Sequence, residues 1–148
     1  MSPITVVVAD KQKASRTACV RLLESEEDIR VVGEARSGLD VLAAATLRPR
    51  IVLLSLDLAP GHSAALVRVL RRRSRRTKVI LLGRRAPEAA LLETLSHGAR
   101  GYIERRSRRI FLPKAVRKVD AGEAWVSRRL AGQIVDRVAH LMAGPRSE

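Results

Sequence analysis

The feature that most constrains this chain is an alternation. Short apolar or β-branched runs recur at Ile4–Ala9, Arg30–Ala35, Ile51–Leu56, Lys78–Leu82 and Gly101–Ile103, each followed by a stretch of helical spacing. Runs of this length, set between turn residues, read as strands. Ile51–Leu56 is apolar on both faces, the mark of a central parallel strand covered by helices on each side. The spacing predicts helices over about 12–25, 37–47, 62–73, 87–97 and 110–121. Ser37 with Asp40 three residues on is a weak capping box. Pro87 suits a first helical position, and Gly98 and Gly122 suit helix ends.

Strands alternating with helices through short connections imply a parallel sheet with helices on both faces. Two architectures fit that order. A dinucleotide-binding half needs Gly-x-Gly-x-x-Gly after a strand, and a P-loop needs its Gly-Lys-Ser/Thr signature; neither occurs here. The expected fold is therefore α/β of the flavodoxin-like five-strand order. A sixth helix, Arg128–Met142, is surplus to that plan and places Leu130, Ile134, Val138 and Leu141 on one stripe. We divide the chain into a domain over residues 1–122 and a C-terminal extension over 123–148. The extension's stripe is expected to pack back on the domain, to form a dimer seam, or to lead to a further domain.

Composition excludes several classes. With 148 residues, 46% hydrophobic, the chain can bury one substantial core and is no disordered polymer. No apolar run approaches the roughly 18 residues of a membrane span, and Met1–Asp10 has no basic n-region of a secretory signal. Cys19 is the only cysteine and sits on an apolar helix stripe, so a core role in a reducing, cytoplasmic setting is expected.

Five stretches resemble one family. Val6-Val-Val-Ala-Asp10, Val31-Val-Gly-Glu-Ala35, Arg48-Pro-Arg-Ile-Val-Leu-Leu54, Ala99-Arg-Gly-Tyr-Ile103 and Ala121-Gly-Glu-Ala-Trp-Val-Ser127 are similar to the receiver domain of two-component response regulators, closest to the NarL/LuxR type. The resemblance runs from about Ile4 to Leu141. It implies that a kinase hands a phosphoryl group to an Asp ending strand three. Two acids after strand one would hold Mg²⁺, a Thr or Ser would end strand four, and a Lys would end strand five.

Carried onto this chain, those positions are changed. The acid pair is Asp10-Lys11, the acceptor position is Ser55, the hydroxyl position is Gly83 and the lysine position is Arg105; Tyr102 stands as the switch aromatic. Phosphoryl transfer to a carboxylate needs the nucleophile and neutralisation of the phosphate oxygens, and Mg²⁺ needs carboxylates. Asp10, Lys11 and Arg105 sum to about +1, which disfavours the metal. No base is in view for Ser55, with His62, His97 and His140 expected on helices elsewhere. Lys11 and Arg105 are expected to fill the space of metal and phosphate. Asp57 is either a loop carboxylate pairing with one of them or, through a loop deletion, a displaced acceptor.

Charge adds a second theme. Residues 1–64 hold 8 basic and 8 acidic side chains, while 65–148 hold 21 against 7, which is the whole excess of +14. Arg68, Arg71, Arg72, Arg73, Arg75, Arg76 and Lys78 form one run, Arg84 and Arg85 follow strand four, and Arg105, Arg106, Arg108 and Arg109 form another. Because strands four and five are neighbours, the runs are expected to converge near one edge. A basic half suits an acidic protein face or nucleic acid, though Tyr102, Phe111 and Trp125 are too few for a stacking platform. The sequence thus reads as a non-enzymatic, phosphorylation-independent receiver acting through protein contacts, with a homodimer expected. No metal, cofactor, small-molecule substrate or membrane partner is called for. Direct nucleic-acid binding and a working acceptor at Asp57 are the alternatives.

Overall fold

In the computed structural model, which describes residues 2–84 and 86–144, every strand pair is parallel. The strands are β1 (Ile4–Ala9), β2 (Ile29–Ala35), β3 (Ile51–Ser55), β4 (Lys78–Gly83) and β5 (Gly101–Glu104), ordered β2-β1-β3-β4-β5. The helices are α1 (Lys13–Glu24), α2 (Gly38–Ala44), α3 (Ser63–Arg73), α4 (Glu88–Ser96), α5 (Arg108–Asp120) and α6 (Arg128–Met142). This is the expected flavodoxin-like order with one helix added.

The apolar runs explain the layering. All five residues of β3 are buried, because both faces of the sheet are covered. On one face Val7, Val52, Leu54, Val79 and Leu81 meet α2, α3 and α4 through Val41, Leu66, Val67, Leu70, Leu91 and Leu95. On the other, Val6, Val8, Leu53 and Ile80 meet α1 and α5 through Cys19, Leu23, Leu112, Val116 and Val119. Alternate residues of one strand thus feed opposite cores.

Helix ends follow their capping residues. Ser37 Oγ accepts from the Asp40 amide at 3.2 Å, while Asp40 reaches back to the Arg36 amide. Ser127 Oγ caps α6 by accepting from the Leu130 amide. Three boundaries differ from the sequence reading. α2 stops at Ala44 and gives way to a tighter turn over Ala45–Leu47, where Thr46 Oγ1 donates to the Ala43 carbonyl. Pro87 stands just outside α4, its ψ of 131° being extended. α5 begins at Arg108, two residues before the expected start, with Pro113 inside it as the spacing already implied.

The two flanks of the sheet differ. Beyond β5, Trp125 forms a parallel bridge to Gly101; the Tyr102 amide donates to the Trp125 carbonyl and the Trp125 amide to that of Arg100. Beyond β2 lies no strand among the described residues, and its pairing with β1 slips between Val6 and Val7. α6 packs its first turns on α4, with Leu130 buried and Ile134 against the same core. Its distal half does not continue that packing: Val138 is 43% and Leu141 64% exposed.

Candidate functional site

Open parallel sheets gather side chains just past the carboxyl ends of their strands. Asp10 follows β1, Ser55 ends β3, Gly83 ends β4 and Arg105 follows β5. Register places them side by side, since Ala9 pairs with Leu54, Ser55 with Leu82, and Gly83 with Glu104. Asp57 sits two residues beyond Ser55, in a turn closed by the Leu58 amide on the Ser55 carbonyl.

Arg105 ties these elements together. Its Nη2 lies 3.0 Å from Asp57 Oδ2, 3.1 Å from Ser55 Oγ and 3.4 Å from both carboxylate oxygens of Asp10. Its Nη1 donates to Gln12 Oε1 at 3.1 Å. Asp10 and Ser55 are buried, Asp57 is half exposed, and the Arg105 side chain is only 12% exposed. Ser55 Oγ donates to Asp57 Oδ1, and the Gln12 amide donates to Asp10 Oδ1. The Asp10 carbonyl accepts from the buried Arg16, which also pairs with Glu34.

Two sequence expectations change here. Lys11 does not enter the cluster, its side chain being exposed and forming no ion pair among the described residues, whereas Asp57 meets Arg105, one of the two partners expected for it. The inner set is therefore Asp10, Asp57 and Arg105, a formal −1 instead of about +1. Yet the guanidinium stands against both carboxylates, so a dication between them would meet a fixed positive charge. The donor set suits internal neutralisation better than Mg²⁺.

Gly83 and Tyr102 form a second contact that spacing did not reveal. A Cβ on Gly83 would lie 2.7 Å from Tyr102 Cε1 and 2.9 Å from Leu56 Cδ1. The tyrosine ring thus occupies the volume a larger residue would need at the end of β4. Burial pushes the Tyr102 phenol above its ordinary pKa, and the charge of Glu104 adds to this.

Beside the cluster, between α3 and α4, opens a cavity of about 590 Å³ that Ser55, Asp57 and Arg105 border at one end. His97 also lines it, so this histidine shares a cavity with Ser55 instead of lying elsewhere. No hydrogen bond joins the two among the described residues.

The arginine runs meet only in part: Arg68, Arg84 and Arg105 line one cavity, Arg85 lies outside the described residues, and the other arginines spread over different faces. α3 belongs to one face and its arginine-rich last turn points away from the strand ends that carry Arg105. Arg108 and Arg109 open α5, on the other face. Within the second run Arg105 is held by carboxylates, Arg106 pairs with Glu104, and Arg108 donates to Ser15 on α1. Adjacent strands do not make adjacent surfaces, because the helix after a parallel strand returns to the opposite end of the sheet. Cys19 is buried as expected, and that burial raises its thiol pKa.

Residues 6–117 match the family model described as the response regulator receiver domain. The Oxygen regulatory protein NreC of Staphylococcus epidermidis is 32% identical over 133 residues, covering 88% of this chain and 61% of that protein. The DNA-binding transcriptional activator DevR/DosR of Mycobacterium tuberculosis is 27% identical over 136 residues, covering 91% and 63%. The chain thus spans about three fifths of the length of these relatives. Among solved structures, the signal receiver domain of the response regulator NarL from Mycobacterium tuberculosis aligns with a TM-score of 0.77 at 27% identity, covering 83% of this chain and all of that one. A LuxR-family response regulator from Aurantimonas shares the fold, with a TM-score of 0.79 at 22% identity over 93% of this chain and 99% of that one.

Proposed function

This chain belongs to the response regulator receiver domain family, with relatives of NarL/LuxR type, and from that premise we propose that it is a receiver that signals without phosphorylation. One observation carries the reading: the Arg105 guanidinium bonds Asp57, Ser55 and Asp10 at once. A phosphoacceptor carboxylate must be free to attack, with its oxygens and the phosphate neutralised by metal and a cation. Here the cation is already engaged by the two carboxylates, and the residue ending β3 is a serine. Gly83 in place of a hydroxyl, with Tyr102 pressed over it, supports a site held in one arrangement.

In this reading the receiver spans 1–122 and the segment over 123–148 is an interaction extension. The apolar side chains of Val135, Val138 and Leu141, exposed on α6, support a homodimer seam there. Output is transcription regulation through protein contacts, in a cytoplasmic setting. No helix among the described residues is long and apolar enough to cross a membrane.

Intact-mass spectrometry after incubation with Mg²⁺ and acetyl phosphate tests the reading. No gain of a phosphate is expected. A second reading, phosphorylation of Asp57, is favoured by that carboxylate's 45% exposure at the mouth of the site. A phosphate gain abolished by Asp57→Asn would replace the first reading with the second.

A further inference from the structure

The cavity between α3 and α4 goes beyond what a silent phosphorylation site requires. Its volume of about 590 Å³ falls within the roughly 300–1,000 Å³ of small-ligand sites. It stays open because both helices turn small side chains toward it, Ala64 and Ala65 from α3 and Ala90 from α4, over a floor of Leu56 and Leu82. Its walls between the helices are largely aliphatic, with Ser63 and Thr94 among them, and the imidazole of His97 is the one ring that lines it among the described residues.

The charge at its rim has one sign in excess. Arg105 is engaged by Asp57, which leaves Arg68 and Arg84 facing Glu93. Arg68 and His97 also border a more open hollow of about 470 Å³ that Arg71, Arg72 and Arg75 line. None of these four arginines forms an ion pair among the described residues. An apolar chamber thus opens onto a cluster of guanidiniums, which are suited to carboxylate or phosphate groups.

We propose that this cavity binds a small organic anion with an aliphatic body, the body lying between α3 and α4 and the head group on Arg68 and its arginine neighbours. Its one ring, the His97 imidazole, also borders the arginine hollow, so a nucleobase would find no pair of rings to stack between, and an acyl-type anion fits better than a nucleotide. The inference stands whether or not Asp57 accepts phosphate. Since Ser55, Asp57 and Arg105 border the same space, an occupant touches the cluster that phosphorylation addresses in relatives of this fold.

The test uses the full chain and the fluorescent anion 8-anilinonaphthalene-1-sulfonate, with decanoate and AMP as competitors. Saturable binding of one probe per chain is expected, displaced by decanoate and not by AMP. Arg68→Gln and the cavity-filling pair Ala64→Leu/Ala90→Leu are each expected to weaken it by about tenfold or more. Leucine is a strong helix former and Ala90 is exposed, so the fold is kept; thermal melts followed by circular dichroism check this, and Arg68→Gln serves should the filled variant unfold. Binding that never saturates, or that is unchanged in a folded cavity-filled variant, would overturn the site. Displacement by AMP as readily as by decanoate would overturn the aliphatic body.

Discussion

A lysine at position 105 would bring a single ammonium to the strand ends; the arginine brings a planar fork that meets Asp10, Ser55, Asp57 and Gln12 together. Removing it strands a buried charge, since among the described residues Asp10 would keep only the Gln12 amide against its carboxylate. Arg105→Ala is therefore expected to cost about 3 kcal/mol in urea unfolding, and Arg105→Lys less. Elsewhere, hydrogen bonds from Arg117 hold the Asp28 carboxyl below its ordinary pKa. A lowered folded-state pKa contributes stability above the unfolded value of about 3.9, and that contribution is lost as pH falls through the folded value. In Arg117→Gln the Asp28 carboxyl titration, followed by NMR, is expected to move up toward the ordinary value. Asp10 and Arg105 were legible through the resemblance to receiver domains, whose site positions fall just after strands one and five. Lys11 was misread because the chain bends at Lys11 and Gln12, folding the Gln12 amide back onto the Asp10 carboxylate and leaving Lys11 exposed. The Gln12 side chain meets Arg105 instead, so an unremarked glutamine took the place expected of the lysine.

α6 shows what periodicity can and cannot say about an element. Leu130, Ile134, Val138 and Leu141 do form one stripe, yet only its start is covered, by α4 and the core behind it. Leu130→Ala is expected to cost about 2–4 kcal/mol, whereas Leu141→Ala should change the stability of the monomer by no more than about 0.5 kcal/mol. Chemical denaturation of dilute protein separates the two. Equal losses would mean that the whole stripe packs on the domain. The strands and most helices were readable to within a residue or two, because burial on both faces of β3 and β4 leaves a continuous apolar signature. Start and stop positions were less so where a local hydrogen bond decides, as at Thr46 after α2.

For the molecule as a whole, a formal charge of +14 says less than where the charge sits. The run at the end of α3 and the run opening α5 lie on different faces and at different ends of the sheet, and much of the second is paired internally. Sequence order could not reveal this, because it gives neighbours within the sheet and not the side a helix covers. Duplex DNA of random sequence is accordingly expected to bind weakly at about 50 mM salt and to be released by about 200 mM. Fluorescence anisotropy measures it, and binding that survives the higher salt would mean a continuous phosphate-binding face. The sheet's own flanks carry a different consequence. Trp125 and its neighbours occupy the outer side of β5, while β2 has a slipped register and no strand beyond it among the described residues. Fibres lengthen by strand addition only when each copy offers two free edges. With one, two copies joined edge to edge would leave nowhere for a third, and polymerisation would stop there.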